Sequence, residues 1–158
     1  MNSFGRLFRV SVFGESHGEC IGVCIDGCPA GIALSASDML PDLDRRRSGA
    51  KGTTPRKEAD LPLIKSGVFN AKTTGSPIVI MFENMDTDAS SYPEMKDTPR
   101  PGHADFTGSQ KFGGFNDYRG GGHFSGRLTA TLVAAGVVAK KILGKAKVEA
   151  KLIEAGGS

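Results

Sequence analysis

The sequence predicts an α+β fold, and three observations predict it. Apolar residues alternate with polar or small ones in short runs bounded by glycine and proline, the pattern of half-buried strands. Two stretches, 35–47 and 125–143, carry helical spacing with start and stop residues. The elements follow the order strands, helix, strands, helix, strand.

Residues 6–13 read as a strand with Phe8, Val10 and Val12 on one face, and 19–26 as a second with Ile21, Val23 and Ile25 on one side. Ser35 and Asp38 form an S-x-x-D capping pair that opens a helix over 35–47. Leu40, Leu43 and Arg47 share a face of it, and Gly49 is its stop. Pro41 removes one hydrogen bond and predicts a kink or a shorter helix. Residues 63–69 and 77–83 read as strands, the second buried on both faces. Residues 84–122 form a long polar loop, and such loops usually carry function. The helix 125–143 has the stripe Leu128, Leu132, Ala135, Val138 and Ile142 and stops at Gly144; 147–153 alternates as a last strand.

The chain has 158 residues, enough for one domain with a core of its own. Its 22 glycines exceed the ordinary share of about 7% without a collagen period, which points to tight turns and close backbone approach to ligands. The net charge of +3 is too mild to imply a nucleic-acid partner. Arg6 and Arg9 interrupt any signal-peptide core, and the apolar run 132–139 is far short of the ~20 residues a membrane span needs. The expectation is a soluble cytoplasmic protein without a membrane partner. Cys20, Cys24 and Cys28 are odd in number and lack CxxC spacing, so they read as small buried apolar residues. The three histidines lie far apart without acidic partners at ligand spacing, and no metal site is expected.

Four stretches can carry chemistry. Gly14-Glu15-Ser16-His17-Gly18 matches G-x-S-x-G, but a nucleophile elbow needs a helix next, and a strand is predicted there. A glycine turn that presents His17 is the favoured reading, because nothing apolar surrounds that histidine in sequence. Arg45, Arg46, Arg47, Lys51, Arg56 and Lys57 crowd cations into 45–57, either a solvated face or an anion site built of guanidinium forks. Arg100-Pro101-Gly102-His103-Ala104-Asp105 is a rigid turn offering an arginine, a histidine and a carboxylate. Gly120-Gly121-Gly122 leads toward the long helix and reads as an anion cradle at a helix N-terminus, although it is neither a P-loop nor a clean dinucleotide fingerprint. One Arg-Gly-Gly copy is poor support for an RNA-binding module.

Together these stretches resemble the chorismate synthases. The resemblance runs, in family order, through Phe4-Gly5-x-x-Phe8-Arg9, Gly14-Glu15-Ser16-His17-Gly18, Asp42-Leu43-Asp44-Arg45-Arg46-Arg47, Thr73-Thr74-Gly75-x-Pro77-Ile78, Arg100-Pro101-Gly102-His103-Ala104-Asp105 and Asp117-Tyr118-Arg119-Gly120-Gly121-Gly122. It implies a β-α-β sandwich in a homotetrameric lyase of the shikimate pathway. The reaction converts 5-enolpyruvylshikimate 3-phosphate to chorismate and phosphate with reduced FMN, for which NADPH can be the reductant. By matching position, His17 assists phosphate departure and His103 donates a proton near the flavin. Arg46, Arg47, Lys51, Arg100 and Arg127 hold the substrate, and His123, Phe124 and Ser125 meet FMN. After the glycines the chain reads His123-Phe124-Ser125-Gly126-Arg127-Leu128 where the family more usually reads Arg-Ser-Ser-Ala-Arg-Glu. The family's later flavin segments and its catalytic aspartate have no counterpart, so residues 1–158 are expected to be the N-terminal part of a single domain and inactive alone. The other readings are a non-catalytic fragment and a basic RNA-binding module.

Overall fold

A computed structural model describes residues 2–48, 58–87, 92 and 96–157. In chain order the elements are β1 (Ser3–Phe4), β2 (Arg9–Gly14), β3 (Cys20–Asp26), a 3₁₀ turn (Ala36–Met39) running into α1 (Leu40–Arg46), β4 (Leu63–Ser66), β5 (Val68–Phe69), β6 (Lys72–Thr73), β7 (Ile78–Glu83), α2 (Asp105–Phe112) and α3 (Thr129–Leu143). Five strands form one antiparallel sheet in the order β1-β2-β3-β7-β4, and β5 pairs with β6 in a small ribbon.

The register explains the core. Val12 faces Val23, Val23 faces Ile80 and Ile80 faces Ile64, while Val10, Ile25 and Ile78 form the next row. Successive side chains point to opposite faces, so these rows share one side. Leu34, Met39 and Leu43 from the α1 region and Ala130, Ala134 and Val138 from α3 cover that side. Each fully buried Ile, Leu or Phe contributes about 1.5–3 kcal/mol. The class is therefore α+β, with a layer of helices on one face of an antiparallel sheet.

The capping pair forms as expected: the Ser35 N–H donates to the Asp38 carboxylate at 2.7 Å. Pro41 lies in the first turn of α1, where its missing N–H has no partner to lose, and of the kink or shorter helix expected the shorter one forms, with α-helix only over Leu40–Arg46. Arg47 caps α1, and Gly49, expected to stop it, lies outside the described residues. The strand expected over 63–69 breaks at Gly67. Its φ is +81°, and a Cβ there would come within 2.7 Å of the Ile78 backbone.

Four further expectations fail. β7 is not buried on both faces. Ile78, Ile80 and Phe82 are fully buried, but Val79 and Met81 are only half-buried, because the described residues cover one face more fully than the other. The loop 84–122 contains α2, which has almost no apolar periodicity to reveal it and buries only Gly108. α3 turns small residues to the sheet, and Leu132 stays 42% exposed. Residues 147–153 form no strand: Val148, Leu152 and Ile153 are exposed, since alternation makes a strand only where a neighbour offers ladder partners. Of the cysteines, Cys28 is buried, which pushes its thiol pKa up, while Cys20 and Cys24 are half-buried on the second face of the sheet. No helix among the described residues is long and apolar enough to cross a membrane.

Candidate active site

The tight connection from β2 to β3 carries Ser16 and His17, both buried, at 1% and 8% exposure. A strand follows it, so Ser16 lacks the strand–turn–helix setting of a nucleophile elbow. The turn is held by backbone bonds: the Ser16 N–H donates to the Gly122 carbonyl at 3.0 Å and the Gly18 N–H to the Glu15 carbonyl at 3.1 Å. The His17 ring meets Tyr92 edge-on, with centroids 4.8 Å apart, and also lies against Gly120. A Cβ at Gly120 would collide with the His17 ring. His17 is thus a packed side chain as well as a presented one.

The glycine run does not reach the helix as expected. Residues 123–128 separate Gly122 from α3, and the Gly122 carbonyl, not an N–H, makes the contact to Ser16. The run closely approaches the histidine turn, and Gly120 lines the cavity described next.

A cavity of about 460 Å³ opens beside this turn, within the ~300–1,000 Å³ typical of small-molecule sites. His17, His103, Arg46, Arg47, Arg100, Ser125 and Arg127 all line it, together with Glu58, Asp60 and Tyr92. Lys51 lies outside the described residues. His123 and Phe124 do not join them. They line a neighbouring cavity of about 420 Å³ with Phe13, Phe112 and Phe115, and His123 Nδ1–H donates to the Gly14 carbonyl at 2.9 Å.

Each arginine of the cavity is oriented by protein groups. Arg46 donates to Asp60 at 3.0 Å, to the Thr129 hydroxyl at 3.1 Å and to the Gly126 carbonyl at 3.2 Å. Arg127 is buried, bonds the other oxygen of Asp60, and donates from Nε to Asn84 at 3.1 Å. One carboxylate therefore joins two guanidinium groups that are far apart in sequence. Arg47 donates to the Ala59 carbonyl at 2.6 Å and pairs with Asp44 at 3.1 Å. Glu58 accepts the Met85 N–H at 3.0 Å and the Asp86 N–H at 3.3 Å. The segment 58–60 is thus an acidic strap beneath three arginines.

The turn at 100–105 is locked by a fork. Arg100 donates from Nε and Nη2 to the two Asp105 oxygens at 2.8 and 3.0 Å, and its backbone N–H adds a third bond at 3.1 Å. The Arg100 bonds hold the Asp105 carboxyl below its usual range, and Asp105 in turn raises the Arg100 pKa. His103 sits exposed on this turn. Arg119 forks Asp117 in the same way and lowers its pKa.

Asp60, Glu58, Asn84, Thr129 and Tyr92 are the residues that sequence reasoning missed. Single polar residues in loops carry no periodicity or spacing signal. Only Glu58 and Asp60 had a faint one, as acidic residues closing a basic run.

A family model described as chorismate synthase matches residues 8–156. A chorismate synthase of Chitinophaga pinensis is 68% identical over 158 residues, covering 99% of this chain and 48% of that protein. One of Dehalococcoides mccartyi is 53% identical over 149 residues, 94% of this chain and 41% of that protein. A crystal structure of chorismate synthase superposes with a TM-score of 0.63 at 30% identity, over 89% of this chain and 35% of that one. The chain spans about half the length, or less, of the relatives it matches.

Proposed function

The chain belongs to the chorismate synthase family, and from that premise we propose that its cavity binds 5-enolpyruvylshikimate 3-phosphate and serves the elimination that yields chorismate and phosphate in the shikimate pathway. The observation that carries this reading is the gathering of two histidines and four arginines from separate stretches around one cavity. Four guanidinium groups line the cavity, each also held by a carboxylate of this chain, and their planar forks suit a phosphate and carboxylates. Arg46 and Arg127 form a rigid floor, because their other bonds are to protein. Arg47, the most exposed of the three arginines above the strap, would exchange its bonds to Asp44 and the Ala59 carbonyl for the ligand.

His17, pinned between Tyr92 and Gly120, holds a proton at the cavity wall and gives it to a departing phosphate oxygen. His103, exposed on a turn set by the Arg100–Asp105 fork, is the second proton donor. Reduced FMN, when bound, would lend electron density to the elimination without net redox change, NADPH being a reductant that could bring the flavin to its reduced state. Ser125 and Gly126 fit a place at its edge because they line the same cavity. His123 and Phe124 fit it less well, since they face the neighbouring aromatic cavity. Among the described residues both carboxylates that line the cavity are bonded to arginines or backbone N–H groups, which suits them to holding cations rather than to removing the substrate proton. The base is therefore assigned to the part of the family's domain outside this chain, as is assembly into a cytoplasmic homotetramer.

Anaerobic assay with reduced FMN and substrate tests the reading. This chain alone is expected to form no chorismate, and addition of the relatives' remaining segment is expected to restore turnover. In the restored enzyme His17→Ala is expected to lower turnover by about 10²–10⁴-fold. Unchanged turnover would remove His17 from the chemistry, and multiple turnovers by the chain alone would overturn the assignment of the base.

A further inference from the structure

Asn84 follows the last residue of β7 and lines no wall of the cavity, yet it bonds to two of them. Its side-chain Oδ1 accepts from Arg127 Nε at 3.1 Å. Its Nδ2 donates to the Glu15 carbonyl at 3.0 Å and to the Gly18 carbonyl at 2.8 Å. Its backbone N–H donates to the Glu19 carbonyl at 3.1 Å. The orientation of the amide is fixed by these partners. Exchanging O and N would set an acceptor against two carbonyls and a donor against a guanidinium N–H.

We propose that Asn84 is a positioning residue that couples the arginine floor of the cavity to the His17 turn, so that an anion bound at the arginines is sensed at the histidine. Glu15 and Gly18 bracket Ser16 and His17, and both of their carbonyls hang on the one NH₂ group. From Arg46 the bonds run without a gap through Asp60, Arg127 and Asn84 to that turn. Bonds in such a partly buried series polarise one another. Asparagine is the residue this place requires: aspartate offers no donor to the two carbonyls, and serine has one donor where two are needed. The role rests on reading the cavity as an anion site, and it concerns the transmission of binding rather than the chemical step.

The experiment is a titration of the full chain with inorganic phosphate, followed by NMR. The signals are the Arg127 Nε–H, the Asn84 side-chain NH₂, the Gly18 amide and the His17 ring. In the wild type all four are expected to shift with one apparent Kd. In Asn84→Ala the Arg127 signal is expected to report phosphate within about threefold of wild-type affinity, while the Gly18 and His17 shifts fall to under about a third of theirs. Full Gly18 and His17 responses in the variant would overturn the proposal. So would an Asn84 NH₂ signal that stays still while wild-type Arg127 moves, a test that needs no variant. If Val23 and Ile80 amides show that Asn84→Ala does not fold, Asn84→Ser takes its place beside that wild-type test. A wild type in which phosphate moves none of the four signals would instead refute the anion site itself, and this inference with it.

Discussion

At Asp60 one carboxylate meets Arg46 on one oxygen and Arg127 on the other, and its own exposure is 3%. Two cations packed around a single buried anion gain little net stability over an apolar replacement, but removal of the anion leaves them uncompensated. Asp60→Ala is therefore expected to lose about 3–5 kcal/mol in urea unfolding. A loss below about 1 kcal/mol, the scale of an exposed pair, would show that water screens the group. Asp105 gives a pH-dependent counterpart. Arg100 holds its carboxyl below the usual range in the folded chain. A carboxylate so depressed contributes stability above its unfolded pKa, near ~4, and loses it as the pH falls through the folded value. Asp105→Asn should thus be less stable than wild type by about 1.5–3 kcal/mol at pH 7. The deficit should shrink in acid unfolding once the pH drops below the carboxylate range. A deficit that stays constant into acid would mean that the fork contributes shape and not charge.

Among the elements, α3 decides how close the helical layer sits to the sheet. Ala130 and Ala134 are fully exposure-free, and Thr131 satisfies its buried hydroxyl by donating to the Leu128 carbonyl at 2.6 Å. Lys140 ties the same helix to Asp42 of α1 at 2.6 Å. Ala134→Leu would force extra methylenes between helix and sheet and is expected to cost about 1–3 kcal/mol. Leu132→Ala, on the exposed side, is expected to change stability by about 0.5 kcal/mol or less. Thermal unfolding of the two variants checks the orientation of the helix, and the reverse ranking would contradict it. α2 holds together differently. Asp105 in its first turn favours the helix dipole, and Gly113 ends it in the left-handed region with φ +61°.

On the scale of the whole molecule, the described residues place one layer of helices on a five-stranded sheet, and residues 145–157 run exposed beyond α3. With Val148, Leu152 and Ile153 unburied, that segment adds nothing to the core. Deleting residues 146–158 should leave Tm within about 2 °C, less than the ~2–4 °C that 1 kcal/mol represents in a domain of this size. A fall of several degrees would show that the segment packs in solution.

By itself the sequence determined the α+β class, the helices α1 and α3, the paired strands β2 and β3, and the family. Alternation, capping and glycine-bounded motifs are local properties that a linear chain displays directly. His17, His103, Arg46, Arg47 and Arg100 were legible as site candidates for the same reason, since each lies in a motif, while Ser125 and Arg127 came only from the family resemblance. What only the tertiary structure decided was the company they keep. Asp60 holds arginines from α1 and from the segment before α3, and Asn84 reaches from the end of β7 to the β2–β3 turn. Such contacts link residues with no common period. Where the local pattern and the fold disagreed, at α2, Leu132 and 147–153, burial and the supply of hydrogen-bond partners overrode it. Both depend on what lies across space rather than along the chain.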